Sequence, residues 1–179
     1  MDKDNTLIEL YGSSVILTMG GYGNDHDKQN SLLDKYALNG ENKLPTTNGN
    51  WATGDGIKIA ANNGIQLIDM SYIQVHPTGF INPKDPDNNT KFLAPEALRG
   101  TGGIIINNKG QRFVNELDTR KNIVNIMNSQ NNNTPFRLLL NDKIAQEFGP
   151  NINFYIKFGL ITKYENIQAL SKDINIDIN

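Results

Sequence analysis

Four ionisable side chains, His76, Glu96, Arg99 and Arg120, stand among short apolar segments and glycines in the run HPTGFINPKDPDNNTKFLAPEALRGTGGIIINNKGQRFVNELDTR. Charges held near apolar walls pair with each other or meet a charged ligand. Two guanidinium forks and an imidazole converging on one place suit a small dianion, because arginine matches a carboxylate bidentately. Each residue alone also has a plainer use. His76, just before Pro77, suits a satisfied histidine at a strand end. Glu96 and Arg99, three apart, suit an ordinary ion pair on one helical turn. Arg120 alone says nothing, and only the joint pattern points to a site.

The elements that must position these groups are legible in part. Val15 to Thr18 is a short β-branched run ending in Met19-Gly20-Gly21, expected as a buried strand entering a tight turn. Such a strand end lets backbone approach a cofactor, although a plain strand and turn fits equally well. A short helix is expected over 31–38, and Pro45 to Gly49 has turn chemistry. Thr53-Gly54-Asp55-Gly56 opens a helix running from Ile57 to Asn62, closed by Gly64. Capping accounts for those residues as well as a ligand would.

Residues 65–67 and 70–75 are expected to be extended, the second piece delivering His76. After the Pro/Asp/Asn loop of 82–90, a short helix or turn is expected over 94–99. Residues 103–106 and 111–114, joined by Asn107-Asn108-Lys109-Gly110, suit a hairpin. Arg120 precedes a helix over 122–128. Beyond it the pattern predicts a strand at 136–140, a helix at 142–148, an apolar piece at 152–158 and a helix at 164–170. The patch NSQNNN at 128–133 is expected as a solvated loop or a compositional bias.

With 179 residues the chain is long enough to bury a core. A formal net charge of −2 carries no basic footprint for nucleic acid. No cysteine is present, which excludes a disulfide scaffold, a thiolate metal site and a cysteine nucleophile, and no metal site is expected. No apolar run approaches the length of a membrane span, so no membrane partner is expected, and the start MDKDNTLIEL does not read as a signal peptide.

HPTG, EALRG and GGIIINNKGQRFVNELDTR, in that order, resemble the active-site half of the fumarate reductase and succinate dehydrogenase flavoprotein superfamily. The resemblance is strongest to its soluble, fungal-type fumarate reductases. Upstream, ILTMGGYGND and PTTNGNWATGDGIKIA fit the same family in the same order, so the match runs from about Val15 to about Met127. The resemblance implies an α/β (α+β) chain. Residues 1–75 would end a Rossmann-like FAD-binding domain, and 76–179 would form part of a mixed α+β capping domain. It implies FAD as cofactor, with Thr18, Gly20, Gly21 and Asp55 against it. Fumarate would take a hydride from the reduced flavin on one alkene carbon and a proton from Arg120 on the other. Glu96 and Arg99 match the family's proton relay, His76 its carboxylate ligand, and Glu96 also lies against substrate. An arginine is a poor acid, its pKa lying above about 12, so it serves only if desolvated and reprotonated by neighbours at once.

The chain departs from the family pattern at Pro95, where bacterial members often carry threonine, and at Lys121, where aspartate is common. It contains no GxGxxG to seat a pyrophosphate, nor the family's later substrate-clamping histidine and arginine. The expectation is therefore an internal fragment of a longer fumarate reductase. Its partners would be a small dicarboxylate (fumarate or succinate) and a reduced nicotinamide or flavin donor, in a cytoplasmic or organellar (mitochondrial) compartment that the chain leaves open. An L-aspartate oxidase or enoate reductase shares the same trio, and an inactive truncated fragment is the remaining alternative.

Overall fold

The computed structural model describes residues 7–130 and 135–177. Its elements are short helices and two small antiparallel sheets, so the chain is mixed α and β. Helix α1, Leu32–Tyr36, starts at Ser31, whose hydroxyl accepts the Asp34 N–H. Buried Asp25 clamps that start: its carboxylate accepts from Leu32 N–H at 2.7 Å and from Lys58 Nζ at 3.0 Å. Lys58 lies on α2, Asp55–Asn62, so one buried ion pair ties the loop at 25 to two helices.

Helix α2 begins two residues before the expected Ile57. Its N-cap Gly54 sits in the left-handed region with no side-chain cap, and it ends at Asn63 with Gly64 at φ 73° beyond. Residues 15–18 form no strand. Val15 and Ile16 are 81% and 83% exposed. A strand needs a hydrogen-bonding edge beside it, and among the described residues none lies alongside. The same holds for 65–67 and 70–75, which run without ladder pairing.

Strands β1, Gly79–Phe80, and β2, Phe92–Leu93, pair antiparallel around the loop of 82–90. That loop is tied back to Thr46, whose N–H donates to the Asn89 carbonyl and whose carbonyl accepts the Lys91 N–H. Helix α3, Glu96–Gly100, follows β2 and turns into β3, Ile104–Ile106, through Gly103. A Cβ at Gly103 would stand 2.5 Å from the Leu98 carbonyl oxygen, so only glycine fits this junction.

The expected hairpin between 103–106 and 111–114 shrinks to one bridge, Ile106 to Arg112, across the turn at 107–110. The main partner of β3 is β4, Arg137–Leu139, paired Ile104 to Leu139 and Ile106 to Arg137. On the other edge of β3 the Ile105 N–H donates to the Glu116 carboxylate at 2.8 Å, which takes the place of a strand. The tightest core gathers Ile105, Val114 and Ile123 with Ile126, Met127, Phe136 and Leu138 packed on it. Ile123, Ile126 and Met127 share one face of α4, Arg120–Ser129, by their three- and four-residue spacing. Helices α5, Asp142–Phe148, and α6, Asn151–Lys157, follow β4, and α7, Ile167–Ile174, begins three residues later than expected. Of the NSQNNN patch, residues 131–133 lie outside the described residues.

Candidate active site

Two helix starts bring the charged residues together. Glu96 is the first residue of α3 and Arg120 the first of α4, where Thr119 caps the helix by accepting the Asn122 N–H. An arginine at a helix N-terminus meets the positive end of the helix dipole, an unfavourable placement unless an anion faces it. Glu96 is that anion. Its Oε2 accepts from Arg120 Nε at 3.0 Å and from Arg120 Nη2 at 2.6 Å. Its Oε1 stands 3.6 Å from Arg99 Nη2, three residues along α3. Glu96 thus bridges both arginines, across 24 residues of sequence in one case. The Arg120 hydrogen bond, and then the surrounding positive charges, hold its carboxyl below the ordinary glutamate range.

The trio is graded in exposure. Arg99 is 1% exposed, whereas Arg120 and Glu96 are 41% and 49% exposed. Burying a guanidinium demands partners. Arg99 Nη1 donates to the Glu116 backbone carbonyl, while Nε and Nη2 make no hydrogen bond, Nη2 resting only on the longer ion-pair contact to Glu96. The trio is dry at its Arg99 end and open at its Arg120 end, where the resemblance requires a desolvated arginine.

His76 is held by the turn that follows it. Its Nδ1 lies 3.0 Å from the Thr78 carbonyl, and Thr78 Oγ1 donates to the Ala94 carbonyl at 2.8 Å, fastening this turn beside the start of α3. Burial pushes the imidazole below its ordinary value; the Thr78 hydrogen bond opposes that, and the charges of Arg120 and Arg99 reinforce it.

The residues expected against a cofactor also meet. The Gly21 carbonyl accepts the Gly54 N–H at 3.1 Å, and Met19 packs on Gly56, so the Thr18–Gly21 segment lies against the start of α2. Thr18, Gly20, Gly21 and Asp55 are all exposed there, and a Cβ built on Gly20 or Gly21 would meet only open space. Thr53 Oγ1 donates to Asp55 Oδ1 at 2.7 Å. A bare glycine backbone beside an uncapped helix start offers free N–H donors to a cofactor's oxygens, so these residues fit a flavin nucleotide.

Sequence reasoning missed Thr78, Glu116, Asp25 and Thr46. Thr78 lies two residues past His76, and Glu116 lies four past Arg112, a spacing that signals pairing. Asp25 and Thr46 act through contacts distant in sequence and left no local mark.

The fold has the architecture of the fumarate reductases. The solved structure of the open conformation of a flavocytochrome c3 fumarate reductase superposes on this chain with a TM-score of 0.62 at 21% identity, covering 88% of this chain and 26% of that one. The family model described as FAD binding domain matches residues 3–146, and the chain belongs to that family, whose cofactor is FAD. A fumarate reductase of Schizosaccharomyces pombe is 42% identical over 165 residues, covering 90% of this chain and 30% of that protein. Fumarate reductase 1 of Saccharomyces cerevisiae is 39% identical, covering 96% and 36%. An L-aspartate oxidase of Clostridium perfringens is 32% identical, covering 99% and 34%. The chain therefore spans about a third of the length of the curated relatives it matches.

Proposed function

We propose that this chain is the substrate-reducing portion of an FAD-dependent fumarate reductase, acting within a longer protein that converts fumarate to succinate. The observation that carries this is the Glu96 carboxylate bridging Arg120 and the buried Arg99. Thr18, Gly20, Gly21 and Asp55 would hold the flavin, which when bound supplies the hydride from a reduced nicotinamide or flavin donor. His76 would hold one substrate carboxylate.

Arg120 would then give a guanidinium proton to the alkene carbon that the hydride does not take. An arginine is a tenable acid only if it is desolvated and the lost proton returns at once; Arg120, 41% exposed, would meet the first condition when substrate and flavin cover it. Glu96, 2.6 Å from Arg120 Nη2, stands where it can return it, and Arg99 stands behind Glu96 to resupply it. The fixed positive charge of Arg99 and Arg120 would also offset the dianion, which is where preorganised electrostatics contribute most.

Arg120→Ala in the complete protein tests this. Fumarate-dependent oxidation of the donor should fall by roughly 10²–10⁴-fold while flavin stays bound. Near-native turnover would remove Arg120 from the proton step. The L-aspartate oxidase likeness supports a second reading, and rapid reoxidation of the reduced flavin by oxygen in place of fumarate would favour it.

A further inference from the structure

Arg99 is the most deeply buried of the trio, and its orientation has a single strong determinant. Of its three guanidinium nitrogens only Nη1 makes a hydrogen bond, donated to the backbone carbonyl of Glu116. Where that carbonyl sits decides where Nη2 points, and Nη2 is the atom that faces Glu96.

The position of residue 116 is in turn set by its own side chain. The Glu116 carboxylate is 3% exposed and accepts from the Ile105 N–H at 2.8 Å, anchoring it to β3. Arg112 closes over it, Nη2 donating to Oε2 at 2.7 Å and Nε lying 3.1 Å from both oxygens. One buried carboxylate thus fastens the segment between the turn at 107–110 and α4 to the core, and presents its carbonyl to Arg99.

We infer that Glu116, locked by Arg112, is a positioning residue for proton delivery: it aims the Arg99 guanidinium at Glu96. It touches neither substrate nor flavin and acts only through Arg99. This rests on the proposal that Arg99, Glu96 and Arg120 pass the proton.

The test is Glu116→Gln in the complete protein, a change that keeps an acceptor for Ile105 but weakens the lock to Arg112. Misaiming the relay should lower kcat for fumarate about tenfold to a hundredfold with KM and flavin content unchanged. The deficit should widen as pH rises, because resupply of the proton is the impaired step. A merely structural defect would instead raise KM, shed flavin from part of the enzyme, or lower kcat by the same factor at every pH. Any of these last results alone, or wild-type kcat, overturns the inference.

If Glu116→Gln does not accumulate as a flavoprotein, Arg112→Gln decides by the same criteria, since Arg112 is 58% exposed and its loss leaves no cavity in the core. Arg120→Ala is measured alongside. Full turnover in that variant overturns the relay itself and the inference with it. Loss of turnover there with normal Glu116→Gln kinetics removes Glu116 alone.

Discussion

At the scale of single residues, His76 carries a pH dependence whose sign follows from its contacts. Nδ1 lies 3.0 Å from the Thr78 carbonyl, to which it donates in one tautomer, leaving Nε2 an acceptor in the neutral ring; in the other tautomer it accepts the Thr78 N–H at 3.3 Å. Burial favours that neutral ring. In the first tautomer Nε2 donates to a carboxylate only as imidazolium, so binding a dianion takes up a proton. The KM for fumarate should then rise with pH through neutrality, and a flat KM across pH 6 to 8 would count against binding by the imidazolium. In the free protein the imidazole should titrate below about 6.5, and lower still in Glu96→Gln, because the Glu96 charge raises it. Imidazole NMR titration reads both.

Glu116 supplies a second residue-scale expectation. Burial raises its carboxyl, but the hydrogen bonds from Arg112 and Ile105 outweigh burial, so the folded-state value lies below the ordinary one. A depressed carboxyl contributes stability that is present above its unfolded value of about 4.3 and is lost as pH falls through the folded value. Unfolding midpoints of native protein and Glu116→Gln should differ at pH 7 and converge below about pH 4. Curves that stay parallel well below that pH, into the range where the native carboxyl is protonated, would show that the carboxylate charge contributes nothing.

At the scale of elements, the N-cap of α4 sets where Arg120 points. Thr119→Ala removes the acceptor for Asn122 N–H and should cost about 1 kcal/mol, read as a lower Tm. Fraying of that first turn should also weaken fumarate reduction, because Arg120 is its first residue. The helices were the most legible elements: α5 falls on 142–148 as expected, since Asn141 caps it and Gly149 ends it locally. Strand pairing was legible only where turn chemistry decided it. The turn at 107–110 formed, yet the hairpin behind it shrank to one bridge, because Glu116 takes the Ile105 N–H on that edge, while β3 pairs with β4 on its other edge.

At the scale of the whole molecule, Thr46 fastens the glycine-rich early segment to the loop of 82–90. Its hydroxyl donates to the Gly23 carbonyl at 2.6 Å and accepts the Asn48 N–H, while its backbone pairs with Asn89 and Lys91. A division of the chain near residue 75, which we retain as a proposal, would make Thr46 the strap between the two parts. Thr46→Val leaves the Gly23 carbonyl and Asn48 N–H without this partner and should cost about 1–3 kcal/mol in thermal unfolding. The apolar run from Leu7 to Met19 is exposed, with Tyr11 at 91%. Residues 1–179 produced alone should therefore self-associate in size-exclusion chromatography and retain little flavin absorbance.

By itself the sequence determined the family, the cofactor class and the identities of the charged residues, because those reside in short ordered motifs whose chemistry needs particular side chains. Helix starts were legible for the same local reason, as a cap and the helix it opens lie within a few residues. Only the tertiary structure decided that Glu96 reaches Arg120 as well as Arg99, that Arg99 is buried while Arg120 stays half open, and that Glu116 holds Arg99 from behind. Those are contacts between segments far apart in the chain, fixed by which edge and which helix end pack together, and no local propensity encodes them.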